Sequence, residues 1–292
     1  MHFPVLLKEV IFYLNPQPNE NFIDATFGEG GHTMEILEKN KPQGRVLGIE
    51  IDREIFEKTK ERFKEVKRLI LVNDNYTNLK EIIKENQFFE INGILFDLGM
   101  CTYHLENSQR GFTYKKDEPL DMRFNLSQDL MAKDILNYYP EEDIEKILRE
   151  YGEERYSKRI ARAIVEKRKK EKFQTTTQLV ELLKKILPKN YDNHRLPFPT
   201  RTFQALRIAV NNELENIKKG IGIAFEVLNP KGRLVVISFH SLEDRIIKNF
   251  FKELKEQNKA EIMTKKPITP GREEILINPK SSSAKLRALK KI

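Results

Sequence analysis

Two periodicities alternate along the first hundred residues. Short β-prone apolar runs occur at Phe22-Ile23, Val46 to Ile49, Leu69 to Val72 and Ile91 to Phe96, each followed by a polar residue. Between them, Thr33 to Lys39, Ile55 to Val66 and Leu79 to Asn86 carry apolar residues at helical spacing. Strands alternating with helices predict a parallel sheet covered on both faces. Ahead of the first run, Phe3 to Leu14 reads as a short amphipathic helix, stopped by Pro16 and Pro18.

The pattern changes after Asp97. Residues 102–130 are polar with little periodicity, and residues 132–187 are almost wholly helical in pattern and rich in Lys, Arg and Glu. The sheet pattern then resumes. Thr202 to Leu228 is predicted as helix, Gly232 to Ser241 as a fifth strand, and Leu242 to Gln257 as helix. Glu261 to Met263 and Glu274 to Ile277 are expected to form a closing pair of strands. The organisation is therefore a doubly wound α/β domain in two pieces, 1–104 and 200–292, around a helical insertion at 105–199. Ligands of such sheets lie beyond the carboxyl ends of the strands. An insertion after the fourth strand is placed to form one wall of that site.

The first turn carries the chemistry. In FIDATFGEGGH, Phe22 to His32, Asp24 ends the first strand, and Gly28, Gly30 and Gly31 let the backbone turn sharply and approach a ligand. Glu50 sits at the end of the second strand, where a carboxylate can take both hydroxyls of a ribose. A nucleoside-containing cofactor follows as the expectation, against an ordinary strand–helix turn that binds nothing. The spacing G-x-G-G-H is not the dinucleotide fingerprint, and Glu29 in the turn would repel a pyrophosphate. The sulfonium and amino acid of S-adenosylmethionine suit nearby acids better.

Charge adds a partner class. The 292-residue chain has 52 Lys and Arg against 44 Asp and Glu, a formal net charge of +8, which favours a polyanion such as nucleic acid. A single cysteine excludes an internal disulfide framework and suits a reducing cytoplasm. The five histidines and one cysteine show no zinc spacing, so no metal is expected. No run approaches the roughly 20 apolar residues of a membrane span.

Several segments in order carry a resemblance over nearly the whole chain: HFPVLLKEV, DATFGEGGH, RGFTY with PLDMRF, YGEERYSKRIARAIVEKR, TRTFQALRIAVNNEL, GRLVVISFHSLEDR and NPKSSSAKLR. Together they resemble the bacterial 16S rRNA (cytosine N4) methyltransferase family, RsmH or MraW. That resemblance implies a class I S-adenosylmethionine-dependent methyltransferase fold, a Rossmann-like doubly wound sheet with an inserted helical domain. It implies N4-methylation of a cytidine in the decoding region of the small ribosomal subunit's 16S rRNA, in the cytoplasm. Carried over by motif, the cofactor residues are Gly30, Gly31, His32, Glu50, Tyr76, Asp97 and His104. Asp24 and Gly28 of the same turn join them. The family usually has Asp where Glu50 stands, and DLGVSSxQ where this chain has DLGMCTYH.

Methyl transfer to a cytosine amine needs alignment and a group that accepts a hydrogen from the amine. Asp97, ending the fourth strand, is the best-placed acceptor. Strand alternation puts Ser238 and His240 on one face of SFHSLED, where they can line the site as further catalytic residues. Phe112, Tyr114 and Phe203 are candidate partners for a base turned out of its stack. Arg110 of RGFTY, with Arg201 and Arg207 of TRTFQALR, is a candidate substrate contact. Arg159, Arg162 and Arg168, with Lys158, Lys167, Lys169 and Lys170, form a basic helical run suited to phosphate. Two other functions compete. A non-catalytic ribosome-assembly factor on this scaffold would not need the glycine turn, Glu50 and Asp97 intact. A nicotinamide oxidoreductase is disfavoured by the missing third fingerprint glycine.

Overall fold

In the computed structural model, which describes residues 4–188, 191 and 198–292, the chain divides into two compact units. Met1–Gly99 with Leu214–Ile292 makes the first, and Met100–Glu213 the second. In the first unit the apolar runs pair into one sheet. Strands β1 (Asn21–Asp24), β2 (Val46–Glu50), β3 (Leu69–Asn73), β4 (Ile91–Asp97) and β5 (Arg233–Ser238) run parallel. Strand β7 (Lys285–Lys291) runs antiparallel between β5 and β6 (Ala260–Ile262). The order is β3-β2-β1-β4-β5-β7-β6. This is the Rossmann-like doubly wound arrangement expected from the sequence.

Alternate residues of one strand enter different cores, as period-2 geometry requires. Ile23, Leu47, Ile94 and Val236 face one core, with Leu79 and Ile82 of α4 (Leu79–Glu85) and Ile217 and Ile221 of α11 (Glu213–Val227). Phe22, Val46, Leu95 and Val235 face the other, with Val10 and Leu14 of α1 (Leu7–Leu14) and Ile36 and Leu37 of α2 (Gly31–Lys39). Burial on both faces explains why these strands read as nearly continuous apolar runs. Since β1, β2, β4 and β5 are parallel, Asp24, Glu50, Asp97 and Ser238 all end at the same edge. The strand order reverses between β1 and β4, so this edge holds the topological switch point.

The structure corrects several expected elements. Phe3, where the first helix was expected to begin, lies outside the described residues. Glu274 to Ile277 is not a strand but part of α13 (Arg272–Ile277), where Glu274 Oε1 accepts the Leu6 N–H at 2.7 Å. Its place as closing strand is taken by β7, whose Leu286 and Ala288 face one core while Leu289 faces the other. The stretch expected as one helix from Thr202 is two, α10 (Thr200–Asn211) and α11, separated at Asn212 in a left-handed conformation with φ 50°.

The second unit is helical: α5 (Thr102–Glu106), α6 (Ala132–Tyr138), α7 (Glu141–Gly152), α8 (Ser157–Arg168), α9 (Thr176–Ile186) and α10. It extends to Glu213, beyond residue 199, because Phe203, Ala205, Leu206 and Val210 of α10 share a core with Leu136, Ile144, Leu148, Ile160 and Leu179. No described helix is long and apolar enough to cross a membrane.

Candidate active site

The glycine turn is built around a carboxylate. After β1, Gly28 and Gly30 adopt φ 54° and 80°, the left-handed region that a side chain resists. A Cβ on Gly30 would fall 2.7 Å from Phe27 Cζ. The turn directs the Gly28 N–H to Glu50 Oε2 at 2.9 Å, while Glu50 Oε1 accepts the Asp52 N–H at 2.8 Å. Asn73 Nδ2 holds the Glu50 carbonyl at 2.7 Å. Burial pushes the Glu50 carboxyl up to about 7, against the backbone bonds from Asp52 and Gly28 and with the charge of Asp52 and Asp24 adding to the rise.

Asp24 and Asp97 occupy the neighbouring strand ends. Thr33 Oγ1 donates to Asp24 Oδ2 at 2.7 Å, and the Thr26 N–H to Oδ1 at 3.3 Å. Burial still pushes Asp24 up to about 6. The Asp97 N–H donates to Thr26 Oγ1 at 2.6 Å, which pins the end of β4 to the first turn. Asp97 Oδ1 is buried and has no hydrogen-bond partner among the described residues. Burial first, then the charges of Asp24 and Glu243, push the Asp97 carboxyl well above the usual carboxylate range.

His32 connects this acidic edge to the chain's first residues. Its Nε2 lies 2.9 Å from the Val5 carbonyl oxygen, and its Nδ1 lies 3.8 Å from Asp97 Oδ2. Gly31 serves the same junction, since a Cβ there would fall 2.4 Å from Pro4 Cγ. The glycine is needed to pass Pro4, a reason invisible in the turn's own spacing. Tyr76 is half-buried, edge-on to Phe96 at 5.3 Å, with Gly220 leaving room for its ring.

Ser238 is fully buried and its hydroxyl donates to the Lys285 carbonyl at 3.4 Å. His240 caps α12 (Ser241–Glu256), whose Glu243 Oε2 accepts the N–H groups of Phe239 at 2.7 Å and His240 at 3.3 Å. His240 Nε2 lies 3.1 Å from Glu243 Oε1 but off a ring N–H direction, so neither ring nitrogen is hydrogen-bonded to a described residue.

A carboxylate oxygen with no partner among the described residues and three buried acids, each costly to ionise without a countercharge, lie beside a glycine cradle. Such a donor set fits a cationic, ribose-bearing ligand. Thr26, Thr33 and Glu243 are the residues that sequence reasoning did not place in this site. Thr26 and Thr33 act through Asp97 and Asp24, partners that only the fold brings to them, whereas Glu243 accepts N–H groups three and four residues before it, the spacing of a helix capping box.

The second unit holds the other candidates. His104 is buried, with Nδ1 3.3 Å from Cys101 Sγ and its ring centroid 5.1 Å from Phe112 and 4.8 Å from Phe124. Phe112 stacks on Phe124 at 5.1 Å, and Phe203 meets Tyr114 edge-on at 5.6 Å. Arg110 is buried and donates to the carbonyls of Arg123 and Phe124 at 3.1 and 3.4 Å. Arg207 forms a two-bond pair with Glu213, at 2.8 and 2.9 Å, with both side chains about 10% exposed. The fork expected to grip phosphate is committed to that carboxylate. Arg201 donates to the Glu153 carbonyl and keeps some exposure. On α8, Ile160, Ala161 and Ile164 face the core, leaving Lys158, Arg159 and Arg162 exposed.

A family model described as the MraW methylase family matches residues 1–292. The chain is 46% identical over 292 residues to the ribosomal RNA small subunit methyltransferase H of Sulfurihydrogenibium sp. (strain YO3AOP1), covering 100% of this chain and 99% of that protein. It is 44% identical to the protein of the same name from Persephonella marina, with the same coverage. The one from Clostridium botulinum (strain Kyoto / Type A2) is 43% identical over 306 residues, again with 100% and 99% covered. Among solved structures, an rRNA methylase from Streptococcus thermophilus superposes with a TM-score of 0.46 at 13% identity, covering 100% of this chain and 99% of that one.

Proposed function

The chain belongs to the MraW methylase family, and we propose that it methylates N4 of a cytidine in the decoding region of 16S rRNA, using S-adenosylmethionine in the cytoplasm. One observation carries the reading. Asp97 presents a buried carboxylate oxygen with no hydrogen-bond partner among the described residues, at the carboxyl end of β4, beside the switch point where such sheets bind ligands. S-adenosylmethionine supplies a methyl group on a positively charged sulfur. Glu50 holds the ribose hydroxyls, and Gly28, Gly30, Gly31 and His32 cradle the amino-acid portion beside Asp24. Tyr76 completes the proposed set in this unit, and the family motif also implies a cofactor role for His104.

Asp97 accepts a hydrogen bond from the cytosine N4 amine, which favours a pyramidal nitrogen with its lone pair freed from the ring, and takes the one proton that N4 loses on methylation. Ser238 and His240, with Glu243, flank it on β5 and the start of α12. The exposed cations Lys158, Arg159 and Arg162, with Arg201, meet rRNA phosphates. Arg110, which also holds the Arg123 and Phe124 carbonyls, and Phe112, stacked on Phe124, complete the proposed substrate contacts.

The test is methyl transfer to small ribosomal subunits that lack the modification, with the product nucleoside identified by mass and fragmentation. N4-methylcytidine at one decoding-region position is expected. A product methylated on a ring carbon or a 2′-hydroxyl would overturn the assignment. Complete absence of transfer would favour a non-catalytic assembly factor.

A further inference from the structure

We propose that His32 is a positioning residue whose imidazolium keeps Asp97 ionised and able to take the amine proton. The inference rests on the role proposed above for Asp97. That role sets a problem that the geometry makes plain. As the N4–carbon bond forms and the carbon–sulfur bond of the donor breaks, N4 must lose one proton. A carboxylate can take it, but a carboxyl group that already holds a proton cannot.

The surroundings of Asp97 work against ionisation. Asp24 on β1 and Glu243 at the start of α12 carry the same sign of charge toward it, and Glu243 already stands 3.1 Å from His240 Nε2. Oδ1 is buried without a described partner. Among the described residues, the cation-capable side chain within ion-pair distance of Asp97 is His32, with Nδ1 3.8 Å from Oδ2.

The ring's other nitrogen settles its orientation. A backbone carbonyl only accepts, so at 2.9 Å from Val5 the Nε2 atom must carry a hydrogen. Proton gain or loss is thereby confined to Nδ1, the atom turned toward Asp97. The ring is buried and its helix start is packed on Pro4, so this orientation is fixed by the fold. With a proton on Nδ1 the pair is imidazolium and carboxylate. Asp97 then takes the proton from N4, and His32 keeps both of its ring protons throughout. Such a role also gives the Gly31–Pro4 packing and the Val5 carbonyl a part in holding the ring toward Asp97.

Two measurements test the proposal on the full chain. In cofactor-free parent protein, ¹⁵N-histidine NMR against pH is expected to show His32 with both ring nitrogens protonated at least one pH unit above the ordinary histidine value of about 6.5. Asp97→Asn should bring that titration back down. A His32 that titrates at or below the ordinary value, or one that Asp97→Asn does not move, overturns the proposal. The second measurement follows single-turnover methylation against pH at saturating S-adenosylmethionine, for the parent and for His32→Gln checked for folding by thermal unfolding. The acid limb should move up by one pH unit or more in the variant, and a limb at the parent's pH overturns the proposal. If His32→Gln does not fold, the NMR titration of the parent decides. Full activity in Asp97→Asn would instead sink the role of Asp97 itself, which separates failure of the underlying reading from failure of this one.

Discussion

The Gly28 N–H donates to Glu50 Oε2 at 2.9 Å, so the glycine turn after β1 and the carboxylate ending β2 are one structure. The same carboxylate closes the next turn through the Asp52 N–H. Glu50 therefore shapes the cradle by itself, through backbone N–H groups on both sides of it.

Replacing Glu50 by Ala removes the acceptor for both backbone N–H groups and for the proposed ribose hydroxyls. Hydrogen bonds to a charged group contribute about 1.5–3 kcal/mol each. Calorimetric titration with S-adenosylmethionine should show at least a tenfold loss of affinity in Glu50→Ala and a smaller loss in Glu50→Asp. Equal affinity in Glu50→Ala and the parent would remove Glu50 from the cofactor site.

Gly31→Ala tests the junction with Pro4. The new Cβ would lie 2.4 Å from Pro4 Cγ, so one of the two segments must shift. Overpacking of this kind costs about 1–3 kcal/mol. Urea denaturation should report that loss, and Pro4→Ala in the same chain should restore part of it. If the second change restores nothing, the clash is not the cause.

Asp97→Asn should cost more in turnover than in RNA affinity. An amide can still accept a hydrogen bond, but it cannot take the proton or stabilise positive charge growing on the proposed N4 acceptor. Loss of one such group costs on the order of 10²–10³ in rate. Single-turnover rates at saturating cofactor, beside filter binding of rRNA, separate the two effects. An unchanged rate would reduce Asp97 to a binding residue.

Stability of the cofactor-free protein should fall as pH rises from 5 to 8. Folding raises Asp24 from 3.8 to about 6 and Glu50 from 4.5 to about 7. Between the ordinary and raised values the folded state binds more protons than the unfolded chain. Their contribution is thus complete below about 4 and is lost as pH rises through 6 and 7. Each group accounts for up to about 3 kcal/mol. Urea denaturation at several pH values measures the slope, and Asp24→Asn should flatten it. The same slope in that variant would show that Asp24 is not responsible.

The arginines of the second unit should split into two behaviours. Arg207→Ala leaves Glu213 buried without its partner, a change that typically costs 3–5 kcal/mol, so it should lower the unfolding temperature. Replacing the exposed Lys158, Arg159 and Arg162 by Ala should leave stability within about 0.5 kcal/mol. It should weaken rRNA binding, with the salt slope falling by about one for each phosphate no longer neutralised. Unchanged slope and affinity would leave these cations as a solvated face.

The sequence alone determined the strand–helix alternation, the insertion after β4 and the acids at the strand ends. These are local patterns: period 2 or 3.6, a glycine run, a polar residue closing an apolar one. Tertiary structure decided what those residues do. Gly31 is set by Pro4, His32 by the Val5 carbonyl and Asp97, Arg207 by Glu213, and the closing strand by the register of Lys285–Lys291 on β5. Each is a meeting of groups whose partner is chosen by packing. A basic or acidic side chain reads the same in sequence whether it faces solvent, a ligand or a buried countercharge. Only the fold, by removing water from around it, fixes which of the three it is.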